Sequence, residues 1–252
     1  MTGAREEILS RLRTALGREN GTTTRPGVVP STGRPVDLDV EVPRAYLREG
    51  ALEKPAVIEQ LVDRLLDYKA WVTEAAAADV PRIVAERLEQ AGSVVIPPGL
   101  EADVVSQLPE TVRITIDAAE AQQGTVADDD VETEAADRFA TAEHRIHTID
   151  ELDETSAVIT ASRVSVAQTG TIMLDGDTDC GRRMITLVPD HHVCLVPAST
   201  IVEIVPEAVS RIDLTRPVTM ISGPSATSDI ELQRVEGVHG PRQLDVIIVT
   251  DR

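Results

Sequence analysis

From residue 70 to residue 117 the chain alternates apolar, strand-like segments with helix-like ones, and this alternation limits its fold more than any other feature. The order is "AWVTEA", "DVPRIVAERLEQAG", "SVVIPPG", "EADVVSQL" and "VRITID". Strands that alternate with helices predict β–α–β units, because a parallel neighbour is reached only by a crossover connection. "SVVIP" lacks an in/out pattern, which suits a strand covered on both faces. Upstream, Val57, Leu61, Leu65 and Leu66 recur at helical spacing. After an acidic stretch from Asp128 to Asp137, strand-like segments dominate: "SAVITASRVSVAQTGTIML", "MITLVPDHHVCLVP", a helix from Thr200 to Arg211, then "PVTMIS" and "LDVIIV". The predicted fold class is α/β, an open, mostly parallel sheet flanked by helices, with ligand loops at strand ends. No internal repeat is visible.

The N-terminal region reads differently. Ile8, Leu9, Leu12 and Leu16 predict an amphipathic helix over residues 4–17 that packs against the body or a second subunit. The segment "ENGTTTRPGVVPSTGRP" has no apolar period and reads as a linker or extended arm. Residues 1–50 are therefore assigned to this helix and arm, and residues 51–252 to one α/β domain, a size that one hydrophobic core can serve. Aromatic residues are only 2% of the chain, so the core must be aliphatic.

Charge and cysteine content narrow the function. Lys and Arg total 24 against 43 Asp and Glu, and the net charge of −19 opposes both nucleic acid and anionic membranes. No apolar run reaches the ~18 residues of a membrane span, and the N-terminus lacks a signal-type apolar region, so a cytoplasmic location is expected. Cys180 and Cys194 are the only cysteines, too few for this chain alone to hold an iron–sulfur cluster with four thiolates. No cofactor is expected in this chain, and any cluster must sit on a partner.

Three polar clusters are candidate site elements. In "VAQTGTIML", Gln168, Thr169, Gly170 and Thr171 interrupt a β-branched run, as either an ordinary hairpin turn or a loop offering backbone N–H groups and hydroxyls. In "PDHHVCLVPAST", His192 and Cys194 share one face of an extended segment and His191 takes the other. A zinc pair there would need further ligands from His144, His147, His239 and Cys180, so no metal is assigned. The preferred reading has one His reaching a site as a hydrogen-bonding group and Cys194 packing in the core.

The third cluster is "SGPSATSDIELQRVEGVHGP", residues 222–241. Gly223 and Pro224 turn the chain after a strand, and Ser225, Thr227 and Ser228 with their amides can cradle an anion. Asp229 and Glu231 would repel an anion unless paired with Arg234 or Arg242. They suit hydroxyl or ammonium recognition, or they cap a helix.

The blocks "AQTGTIML", "LVPDHHVCLVPASTIV" and "SGPSATSDIELQRVEGVHGPRQLDVIIV" resemble the successive signatures of the lactate-utilization domain family over roughly residues 55 to 250. The resemblance implies a fold like that of the sugar-phosphate isomerase and coenzyme A transferase superfamily. It also implies a part in oxidising L-lactate to pyruvate beside an iron–sulfur protein and a cysteine-rich protein. Its first block usually reads Glu-Thr-Gly-Thr; here Gln168 replaces the Glu, so no carboxylate is available there as a general base. In the third block Gly237 and Gly240 would present His239 on a turn, beside a small-molecule ligand. The competing expectation is a self-sufficient enzyme acting on a phosphorylated or coenzyme A-linked metabolite. It requires basic groups near the loops, for which Arg182, Arg183 and Arg242 are the candidates.

Overall fold

The computed structural model describes residues 7, 11, 45–117, 142–227, 235–236 and 240–252. The chain divides into two units, Met1–Tyr46 and Leu47–Arg252. In the first, Glu7 and Arg11 are helical and form an exposed pair at 2.6 Å, one turn apart. The rest of the predicted N-terminal helix, and the arm, lie outside the described residues.

The second unit begins with helix α1 (Lys54–Asp67), which Pro55 starts well because its missing N–H would be unpaired in the first turn anyway. Strand β1 (Trp71–Ala75), α2 (Val80–Arg87), β2 (Ser93–Ile96), β3 (Arg113–Asp117) and β4 (Glu143–Arg145) follow. Next come α3 (Ile149–Asp153), β5 (Ala157–Ala161), β6 (Val164–Val166), β7 (Thr171–Leu174) and β8 (His191–Pro197). The chain continues through β9 (Ile201–Val202), α4 (Val205–Val209), β10 (Thr219–Ile221), β11 (Ala226–Thr227), β12 (Val235–Glu236) and β13 (Gln243–Val249).

Seven strands form one sheet in the order β1-β13-β8-β5-β2-β3-β4. Every neighbouring pair in it is parallel. A second sheet of four strands has the order β10-β7-β6-β9, with β7 antiparallel to both β10 and β6. β11 and β12 pair with each other.

Both faces of the large sheet are covered, which is why all four residues of β2 are buried. Ile83, Val84 and Leu88 pack on one face against Ile159, Val193 and Ile247. On the opposite face Val57, Leu61 and Leu65 of α1 pack with Ile172 of the second sheet against Cys194, Val246 and Ile248. Leu61 and Leu65 are fully buried, and each contributes about 1.5–3 kcal/mol of transfer free energy. Arg87 forks onto buried Asp245 at 2.7 and 3.0 Å while its guanidinium lies 4.2 Å from the Trp71 ring centre.

Three local expectations change. Leu66 is 51% exposed, since one residue's rotation past Leu65 carries it off the buried stripe. "EADVVSQL" holds only a 3₁₀ turn, Ala102–Val105, because two β-branched residues and then Pro109 disfavour a longer helix. The helix expected from Thr200 to Arg211 shortens to α4, since Ile201 and Val202 pair with Ser165 and Val166.

Candidate functional site

The turn between β6 and β7 contains Gln168, Thr169 and Gly170. Gly170 has φ +60°, and a Cβ there would meet Arg64 Cβ at 2.8 Å and Tyr68 Cε2 at 3.1 Å. Gly223, after β10, has φ +87°, and its Cβ would lie 2.5 Å from Tyr68 Cβ. Tyr68, the residue that ends α1, is thus the post against which both glycine turns close. A string of hydroxyls ties the same two turns together: Thr169 Oγ1 to Thr171 Oγ1 at 2.8 Å and Thr171 Oγ1 to Ser222 Oγ at 2.9 Å.

Below them lies a cavity of about 250 Å³ bordered by His192, Ser222, Gly223, Ser225, Gly240 and Leu244, among others. The Ser225 N–H donates to Pro241 O at 2.7 Å and holds the two loop ends together. His192 and Leu244 are the second residues of β8 and β13, so the cavity sits at the amino ends of these strands. It lies on the face that α1 covers, because Leu244 and Cys194 belong to that core.

Of the predicted site residues, His192, Gly223, Ser225 and Gly240 share this cavity, and Thr171 reaches it through Ser222. Gln168, Thr169 and Gly170 do not line it; Gln168 is exposed and its backbone N–H donates to Glu203 O at 3.0 Å. Thr227 lies in β11. Asp229, Glu231 and His239, like Ser228, Arg234 and Gly237, lie outside the described residues.

His192 is 1% exposed and its Nε2 is 2.8 Å from Thr160 Oγ1. The Thr160 hydroxyl also lies 3.8 Å from Cys194 Sγ, and the direction of its bond to Nε2 follows the tautomer of the ring. Burial, reinforced by His191, pushes the imidazole down to about 3 and keeps it neutral. Burial also pushes the Cys194 thiol up to about 12 and the Cys180 thiol higher still, which removes both as thiolate nucleophiles. Among the described lining residues no side chain is ionised. These residues can hold a hydroxyl or another neutral polar group, but among them is no carboxylate or cation for acid–base work.

His191 takes the opposite face, as its position in the strand predicts, and binds Asp245 Oδ2 at 2.8 Å. Among the described residues no three His, Cys, Asp or Glu side chains are grouped as a metal would require. No helix among them is long and apolar enough to cross a membrane.

A buried ionic knot was not singled out from sequence. Asp117, the last residue of β3, accepts bonds from Arg182 Nε and Nη2, both at 2.6 Å, and from the His147 N–H at 3.1 Å. The His147 ring bridges Asp117 Oδ1 and Thr115 Oγ1, each at 3.0 Å. Burial would raise the Asp117 carboxyl, but the bonds from Arg182 and His147 outweigh it and hold it well below the ordinary carboxylate range. Arg242, the third basic candidate, pairs with Asp190. The rarity of tyrosine, two in the chain, was the one signal that could have flagged Tyr68.

A wholly parallel α/β sheet, backed by a small mixed sheet and carrying a loop-built cavity whose described lining is uncharged, defines the class of the domain. The LUD domain profile matches residues 58–249, and the chain belongs to the LUD domain family. It is similar to lactate utilization protein C of Deinococcus radiodurans, 39% identical over 202 residues that cover 79% of this chain and 82% of that protein. Lactate utilization protein C of Bacillus subtilis is 35% identical over 112 residues, covering 41% of this chain and 46% of that protein. Among solved structures, a DUF162 family protein from Deinococcus radiodurans superposes with a TM-score of 0.59 at 30% identity, covering 79% of this chain and all of that one.

Proposed function

We propose that this chain is a component of an L-lactate utilization system, acting with an iron–sulfur protein and a cysteine-rich protein in the oxidation of L-lactate to pyruvate. The observation that carries the reading is the 39% identity to a relative named for lactate utilization, across most of both chains. The division of labour has two supports. This sequence has two cysteines, both buried, and no Gly-x-Gly-x-x-Gly dinucleotide motif, which favours passing the electrons from lactate to centres on partners. The described part of the cavity offers a neutral imidazole and hydroxyls, which suits holding a small hydroxylated ligand more than abstracting its protons.

Deleting the gene for this chain should abolish growth on L-lactate and leave growth on pyruvate intact. The purified chain should not oxidise lactate by itself. Normal growth of the deletion strain on lactate would sink the role. Turnover by the isolated chain would sink the accessory part of it.

A further inference from the structure

The two edges of the large sheet are unlike. β4, at one edge, is three residues long and reads Glu-His-Arg, a short charged strand of the kind that deters pairing with another chain. β1, at the other edge, is five residues long and Glu74 is its only charge. Its Trp71, Val72 and Thr73 are all strong strand formers.

The open backbone groups of β1 can be named. The Thr250 N–H donates to Ala75 O at 2.9 Å, so Ala75 turns its backbone toward β13, and by alternation Trp71 and Thr73 do the same. Val72 and Glu74 turn theirs outward, and among the described residues neither has a backbone partner on that side. Just beyond them, outward groups are already used. The Ala70 N–H donates to Leu65 O, and Ala76 O accepts from the Asp79 N–H, both at 3.0 Å.

We propose that this edge is the interface of a twofold dimer of the chain, with β1 of one copy antiparallel to β1 of the other and Val72 opposite Glu74 about Thr73. A closed pair of identical edges is antiparallel by symmetry. In this register each Val72 exchanges both backbone bonds with a Glu74, and every open backbone group of the two residues is paired. Shifted either way, Glu74 would face Ala70, whose N–H is taken, or Val72 would face Ala76, whose C=O is taken. Charge favours the same arrangement, because it brings the Lys69 end of each strand beside the Glu74 and Asp79 end of the other. Neither Lys69 nor Glu74 has an ion pair among the described residues. A groove of about 320 Å³ lies at this edge, bordered by Pro55, Ile58 and Val62 of α1 and by Glu74. The α1 helices of the two copies flank the axis on that face and narrow both grooves. The interface stands apart from the lactate reading, since it is read from mass and cross-linking.

The test is light scattering of the full chain at about 100 µM in about 0.15 M salt, where charges more than about 8 Å apart are screened. The mass should be twice the 27.1 kDa of one chain. Glu74→Pro removes an outward N–H at an exposed position that the single chain does not use, and should weaken association about tenfold with circular dichroism unchanged. Thr73→Cys sets two thiols directly opposite each other in a non-hydrogen-bonded pair, with Cα atoms ~4.5 Å apart, and should give a covalent dimer on mild oxidation. In Glu74→Cys the two Cα atoms would lie ~8 Å apart, too far for a bridge. The two native cysteines are buried and do not compete. A single-chain mass overturns the proposal, whatever else meets that edge. A dimer that Glu74→Pro leaves unchanged, or that cross-links as readily through Glu74→Cys as through Thr73→Cys, overturns the edge and register assigned to it.

Discussion

Replacing Arg182 by Met would leave the Asp117 carboxylate fully buried with only His147 to hold it. The arginine supplies two short bonds to that carboxylate and one to the His147 carbonyl. Removing one partner of a buried ion pair costs about 3–5 kcal/mol. The Arg182 side chain is 29% exposed, and the two bonds from His147 survive, so the lower end applies: about 3 kcal/mol at neutral pH. Urea unfolding read by the single Trp71, which lies in β1 of the same sheet as Asp117 and stacks on Arg87 of α2, measures it. The pH dependence supplies an independent check. Asp117 titrates lower in the folded protein than its ordinary 3.8, so its contribution is present above that pH and is lost as pH falls through the depressed folded value. The gap between wild type and Arg182→Met should therefore be full at neutral pH and narrow below 3.8. Adding Asp117→Asn to the variant removes the stranded charge and should recover about 1–2 kcal/mol. A loss below about 1 kcal/mol at neutral pH, a gap that does not narrow in acid, or no recovery in the double variant would refute the reasoning.

Two further outcomes follow from the site loops. Gly223→Ala forces a Cβ against Tyr68 at a φ of +87° and should cost about 1–3 kcal/mol, seen as a lower Tm; an unchanged Tm would show that Tyr68 is not the post described. The His192 imidazole should stay neutral from pH 8 to pH 5 by NMR, and stability should fall as pH drops from 6.5 toward 3, because the unfolded chain takes up the proton that the folded one refuses. An imidazole signal titrating near its ordinary 6.5 would contradict its burial.

The layers of the fold were legible because hydrophobic patterning reports which faces are covered. "SVVI" without alternation meant a central strand, and it lies between β5 and β3. The shared face of His192 and Cys194 followed from the two-residue period of a strand alone, and so did the turning of His191 away from them. Strand order was not legible, since nothing local says that β13 enters between β1 and β8. Nor was the edge at which the loops gather, because residues 222–225 follow a strand of the second sheet and yet close over the amino ends of the first. The knot of Asp117, His147 and Arg182 escaped for the same reason: its members are spread over 65 residues, and nothing local links one to another.

The position of β13 carries a consequence for synthesis. β1 is made early and takes the edge of the large sheet, and its partner there, Asp245 to Val249, is translated after every other strand. Until those residues leave the ribosome, Leu61 and Leu65 of α1 lack Val246 and Ile248 beneath them, and part of their apolar stripe stays open to water. The domain is thus obliged to close after translation of its body rather than during it, and a nascent chain halted short of residue 243 is sticky by construction and a substrate for chaperones.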